Sequence, residues 1–210
     1  MDDCSKIITL SANTSWYLYN FRQSTIKRLI DKGYRVVCIS PLDDYSKELM
    51  DLGCEYYDLD MQNKGTNPFK DIKTFLKLLF IYLKLKPFAA FHFTIKNNIY
   101  GTLAAFLSRT PAINNVSGLG TAFIRKNFIS KVVVLLYKIS QPLSYKVYCQ
   151  NEDDYQLLIN NKLVSENKLS ILPGSGVDIK RFNPNIVDSR NNLYTFLFVG
   201  RILADKGIRE

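Results

Sequence analysis

The 210-residue chain has one histidine and one tryptophan, and no uninterrupted apolar run near the roughly 20 residues that a spanning helix needs. Its four cysteines, Cys4, Cys38, Cys54 and Cys149, form no C-x-x-C pair. Small buried thiols in a reducing cytosol are therefore expected, rather than a disulfide framework or a metal site. No G-x-G-x-x-G follows the first apolar run, which argues against a nicotinamide or flavin enzyme. The start, Met1-Asp2-Asp3-Cys4-Ser5-Lys6, is acidic and polar, unlike a secretory signal. Acids are nearly missing from the middle: residues 61–148 hold 13 Lys and Arg against Asp71 alone. That imbalance points to an anionic partner, phosphate groups or a membrane surface rather than nucleic acid.

What is present alternates. Ile7 to Leu10 reads as a strand, Trp16 to Asp31 as a helix ended by Lys32-Gly33, and Arg35 to Ser40 as the next strand. Asp43 to Leu52 is expected as a helix and Glu55 to Asp58 as a strand. Asn67-Pro68 then supplies the cap and first residue of a helix reaching about Lys86. Further strands are expected at Ala89 to Phe93, Ala112 to Val116, Lys146 to Gln150 and Lys168 to Leu172, with helices over 97–108, 128–142 and 152–161. This order predicts an α/β fold, a doubly wound parallel Rossmann-like sheet. A polar linker, 184–193, separates a domain of residues 1–183 from residues 194–210, where Tyr194 to Val199 reads as a buried first strand of a second domain. On this reading the chain is one complete domain and the beginning of another.

The most specific stretch lies near the end: Leu172-Pro173-Gly174-Ser175-Gly176-Val177-Asp178, then Phe182-Asn183-Pro184, Gly200-Arg201 and Asp205-Lys206-Gly207. It resembles the joint of the retaining GT-B glycosyltransferases of glycosyltransferase family 4. Tyr17 to Arg22, Ser40-Pro41 to Tyr45, Asn67-Pro68-Phe69, Lys96 to Gly101 and Gly118-Leu119-Gly120 resemble a branch working on polyprenyl-diphosphate-linked sugars in O-antigen and capsule synthesis. The resemblance implies the amino-terminal, acceptor half of a GT-B fold. It also implies an activity of the complete enzyme: sugar transfer from a nucleoside-diphosphate sugar to a polyprenyl-diphosphate-linked saccharide, with retention and with neither cofactor nor metal. It assigns Gly200, Arg201 and Lys206 to the donor diphosphate, where fixed cations stabilise the charge built on the leaving oxygen. The family's acidic motif, two glutamates flanking seven residues, does not occur among these residues, so the chain alone is expected to turn over no donor.

In an open α/β sheet the ligand crevice lies at the carboxyl ends of the strands. Asn13 and Ser15 in the first such loop are contacts for acceptor or phosphate oxygens, or a plain helix cap. His92 is a candidate base or sugar contact, or else a structural residue between two phenylalanines. Lys96, on a loop and expected to be exposed, is the preferred anion contact, with Asn98 beside it. Gly118 and Gly120 form a backbone nest or a tight turn, and Gly174 and Gly176 a second glycine loop. Asp58-Leu59-Asp60 imitates a metal-binding D-x-D pair but reads as solvated carboxylates, so no metal is expected. Asp43-Asp44 and Asp153-Asp154 read as acidic helix starts.

Between Asn67 and Lys86, Lys70, Lys73, Lys77 and Lys84 fall at about 0°, −60°, −20° and −40°, one narrow stripe beside many apolar residues. Of these, Lys70, Lys73 and Lys77, with Arg125 and Lys126, are expected to face the inner leaflet of the cytoplasmic membrane, giving a peripheral attachment near the lipid-diphosphate acceptor. Two other readings stay open: a nucleotide-sugar epimerase of the same fold, and a non-catalytic truncated relic or binding half.

Overall fold

Seven short apolar runs form one parallel sheet, in the order β3-β2-β1-β4-β5-β6-β7. The computed structural model describes residues 6–62, 67–119, 128–180, 182–183 and 196–200. The strands are β1 (Ile7–Ser11), β2 (Arg35–Ser40), β3 (Glu55–Asp58), β4 (Ala89–Phe93), β5 (Ala112–Val116), β6 (Lys146–Cys149) and β7 (Leu169–Ile171). Helices join them: α1 (Ser15–Asp31), α2 (Ser46–Asp51), α3 (Pro68–Leu85), α4 (Thr102–Leu107), α5 (Phe128–Ser140) and α6 (Glu152–Asn160). All six strand pairs are parallel, with registers such as Leu10 opposite Cys38 and His92 opposite Asn114. The expected doubly wound α/β fold is therefore observed.

Alternation along each strand divides the core. Ile8, Leu10, Val36, Cys38 and Phe93 pack with Leu18 and Ile26 of α1 and Leu49 of α2. Val37, Ile39 and Ala90 face the other way, against Leu78, Ile81 and Tyr82 of α3 and Ala104 and Ala105 of α4. A third cluster joins Val116, Val147 and Cys149 to Tyr137 of α5 and Leu158 of α6. Cys38, Cys54 and Cys149 are free and buried.

Local chemistry explains the helix ends. The Thr14 hydroxyl accepts from Tyr17 N, the Asn67 carbonyl from Phe69 N and the Asn151 carbonyl from Asp154 N. α3 stops at Lys86, in the left-handed region with φ 47°, just ahead of Pro87.

Two expectations need correction. The segment read as one helix from Asn97 starts as a π-helical turn, Asn97–Gly101, before α4. The wider turn has a visible cause. A Cβ on Gly101 would stand 2.6 Å from the His92 ring, so the backbone approaches β4 more closely than any other residue type permits. The Thr102 hydroxyl and the Gln141 amide both donate to the carbonyl of Asn98 that this turn leaves open. Second, Phe196–Val199 carries no strand pairing, and Phe196 is 98% exposed. An apolar run becomes a strand only where another strand takes up its backbone groups. By contacts the chain divides into Met1–Gly176 and Val177–Glu210, and the described residues of the second unit contain neither helix nor strand.

Candidate functional site

Strand order reverses its chain direction between β1 and β4, and there the loops part to leave a cavity of about 250 Å³. Asn13 lines it from the loop after β1, Met61 from beyond β3, and Thr94, Ile95, Lys96 and Asn98 from beyond β4. Ser117 and Gly118, after β5, and Tyr137 of α5 complete it. Thr94 holds φ at +73°, a strained value for a β-branched residue, and its hydroxyl accepts from the Asn97 amide at 3.1 Å. Gly118, at φ +128°, makes a bend that a side chain would oppose.

Asn13, Lys96, Asn98 and Gly118 are thus brought together. Gly174 and Gly176, also at positive φ, follow β7 and do not line this cavity. Gly120, Arg125, Lys126, Arg201 and Lys206 lie outside the described residues, and Gly200 is exposed in the second unit.

Ser15 is not a ligand contact. Its hydroxyl is buried against those of Ser40, Ser46 and Tyr56 at 2.8–2.9 Å. The amides of Ser15 and Trp16, the anion seat at the start of α1, both donate to Asp43 Oδ2, at 2.8 and 3.1 Å. Asp43 therefore serves α1, 28 residues back, while α2 begins only at Ser46.

His92 is no base on a bound substrate. It has no exposed surface, and both ring nitrogens are engaged. Nδ1 lies 2.8 Å from Asn114 Oδ1, so it carries the proton, and Nε2, 3.0 Å away, accepts from the Tyr82 hydroxyl. Burial pushes its pKa down to about 4, partly opposed by the Asn114 bond. Asn114 continues the network through its amide to Gln141 and Thr102.

Lys96 is not the free loop cation its position suggested. Its ammonium lies 2.6 Å from Asp71 Oδ1, with side-chain exposures of 18% and 14%. The Tyr100 hydroxyl donates to the other oxygen at 3.0 Å, and burial followed by the Asp71 charge raises the pKa of that phenol. Similarly, the Leu119 amide, one donor of the supposed nest, points at Asp154 Oδ1, 3.5 Å away.

Asn98 is buried, and its amide donates to the carbonyl of Asn115 at 3.1 Å. Arg22 closes one of the stretches that carry the resemblance, but the sequence reading gave it no role at the site. It is only 5% exposed, and Nη2 donates to the Tyr17 hydroxyl and to Asn115 Oδ1. Its guanidinium stacks 4.4 Å from the centre of the Phe93 ring. No carboxylate pairs with it among the described residues. A signal was available, since Arg22 stands four residues after Leu18 and four before Ile26, on the buried stripe of α1.

Outside the cleft, α3 carries a second kind of surface. Phe69, Ile72, Leu76, Phe80 and Leu83 are all exposed, Phe69 by 83%, and fall within a band of about 80° turned away from the core. Lys73 and Lys77, on the lysine edge beside it, pair with Asp60 and Asp58 at 2.9 and 3.6 Å, while Lys70 is exposed. These surface pairs contribute little, but they neutralise two of the cations expected to face a membrane. α5, in the same layer, exposes Phe128, Val132, Leu135 and Ile139 along one side.

The profile of the family described as "Glycosyl transferase 4-like" matches residues 6–151, from β1 to the end of β6. The chain belongs to this family. Over 209 aligned residues this glycosyl transferase 4-like chain is 29% identical to N,N'-diacetylbacillosaminyl-diphospho-undecaprenol alpha-1,3-N-acetylgalactosaminyltransferase of Campylobacter jejuni, covering 92% of this chain and 55% of that one. It is 31% identical over 153 residues to the capsular polysaccharide biosynthesis glycosyltransferase CapM of Staphylococcus aureus, covering 68% and 40%. The chain thus spans about half the length of these curated relatives or less. Its fold also superposes on the UDP-N-acetylglucosamine 2-epimerase of Rickettsia bellii, with TM-score 0.60, 18% identity, and 89% and 49% of the two chains covered. The fold is accordingly common to both chemistries, whereas both of these sequence relatives are transferases.

Proposed function

We propose that this chain is the acceptor side of a retaining glycosyltransferase, one that moves a sugar from a nucleoside-diphosphate donor onto a polyprenyl-diphosphate-linked saccharide. The observation that carries this reading is the likeness, along 92% of the chain, to an enzyme whose named acceptor is a diphospho-undecaprenol saccharide. The cavity at the strand-order reversal supports it. Its lining sets polar groups of Asn13, Thr94 and Ser117 and one neutralised lysine beside apolar Met61 and Ile95, a mixture that suits a sugar more than a bare anion. The donor diphosphate falls to Gly200, Arg201 and Lys206, and the reaction needs neither cofactor nor metal. Mass spectrometry of lipid-linked saccharides from cells with and without the gene tests the reading. The expected result is accumulation of a saccharide one sugar short. Unchanged lipid-linked saccharides would overturn it, and loss of one nucleotide-sugar epimer instead would put an epimerase in its place.

The acceptor's lipid implies a membrane surface, and the exposed stripes of α3 and α5 supply one. Monomeric proteins rarely present so much contiguous apolar side chain to water. Exposed Lys70, Lys131 and Lys138 border the stripes and add attraction to an anionic leaflet of about 1 kcal/mol each. The exposed apolar groups support this attachment more than the paired Lys73 and Lys77 do. Phe69→Glu with Phe80→Glu should therefore weaken sedimentation with anionic vesicles at least tenfold, more than reversing Lys73 and Lys77. Equal binding by the double variant and the wild type would refute this docking face.

A further inference from the structure

The chain answers several electropositive points near its cleft with a carboxylate of its own. Asp43 meets the start of α1, Asp71 meets Lys96, and Asp154 meets the Leu119 amide. Arg22 is left without one among the described residues. Its Nε is buried and has no hydrogen-bond partner among the described residues. A guanidinium cannot relieve burial by losing its proton, as a lysine or histidine does. From the second turn of α1 the side chain leans back toward the helix start, so its charge sits at the carboxyl ends of β4 and β5. The residues that follow Phe93 and Asn115, its neighbours there, include Thr94 and Ser117 of the cavity wall.

We propose that Arg22, with Tyr17 and Asn115, forms the floor of an anion site that takes a diphosphate group. With Nε buried and Nη2 engaged, the Nη1 edge of the guanidinium remains to donate to a phosphate oxygen, a charge-assisted hydrogen bond. The Tyr17 hydroxyl and the Asn115 amide, each accepting from Nη2, keep a proton to donate outward. The anion site stands on this geometry; that the anion is a diphosphate rests on the transferase reading, in which both substrates carry one.

The test titrates inorganic pyrophosphate, uridine diphosphate and farnesyl diphosphate into the 210-residue chain. Binding is followed by thermal midpoint and by the nitrogen-15 resonance of Arg22 Nε. At least one diphosphate should raise the midpoint and shift that resonance. Arg22→Met should bind it at least tenfold more weakly, with Arg22→Lys in between. Preference for farnesyl diphosphate makes the lipid acceptor the source, and preference for uridine diphosphate makes it the donor. An Arg22 resonance unmoved at saturation, or Arg22→Met binding like the wild type, overturns the site. Should Arg22→Met fail to fold, the wild-type resonance alone decides. Pyrophosphate binding through Arg22 in a protein whose loss leaves lipid-linked saccharides unchanged keeps the site and refutes only the transferase reading.

Discussion

Asp71→Ala is expected to lower the unfolding free energy by about 3 kcal/mol, the low end of the range for removing one partner of a buried ion pair. Its carboxylate holds the Lys96 ammonium at 2.6 Å and the Tyr100 hydroxyl at 3.0 Å, both largely out of water. Without it, Lys96 keeps a charge with neither water nor an anion to balance it. Lysine can escape this partly by reaching outward or losing its proton, which places the loss at the low end. Asp71 also stands in the first turn of α3, where a carboxylate favours the helix dipole by a few tenths of a kcal/mol. Urea denaturation of Asp71→Ala, Lys96→Met and the double variant would measure the loss. The double variant should be more stable than Asp71→Ala alone, because it removes the stranded charge. A double variant less stable than either single change would mean that the two side chains act through packing rather than as a pair.

Acidification should weaken the fold through His92 by an amount on the order of 3 kcal/mol, spread over the window between pH 6.5 and about 4. The sign follows from the ring's surroundings. In the fold it stays neutral down to about pH 4, whereas in the unfolded chain it takes up a proton near 6.5. Between those values the unfolded chain binds more protons, so stability is full above 6.5, falls as pH drops, and levels off below 4. Protonation cannot be relieved by movement, since Gly101 seals the ring and Asn114 and Tyr82 hold its nitrogens. Urea midpoints at pH 7, 5.5 and 4 should fall steeply for the wild type and less for His92→Gln. Parallel profiles for the two would show that carboxylates, and not this ring, carry the acid sensitivity.

The corrections at the site share one pattern. Asp43 was legible as an acid at a helix start, but the helix it serves lies 28 residues earlier. Lys96 was legible as a loop cation, yet its partner comes from α3, 25 residues before it. In each case the residue type was right for helix or anion chemistry, and a distant carboxylate had already taken the place of a ligand. His92 stood at a strand end facing the cleft in the sequence, and the π-helical turn folded over it instead.

The order of strands and helices, the cap at Asn67 and the parallel sheet were set by local patterns that sequence carries directly. Apolar periodicity, side-chain oxygens at helix starts, and glycine or proline at their ends act over only a few residues, so a linear reading recovers them. The family was legible for the same reason, because its motifs are short contiguous stretches. Tertiary structure alone decided which charges are spent inside the protein and which remain for a ligand. Asp71 could be counted as the single acid among 13 cations, but only the crossing of α3 with the β4 loop assigns it to Lys96. Arg22 stood in the sequence only as the last residue of the Tyr17 to Arg22 stretch, and its burial against Phe93 and Asn115 appears only in the fold. Charge pairing depends on distances between segments far apart in the chain, and burial sets how strongly each unpaired charge counts.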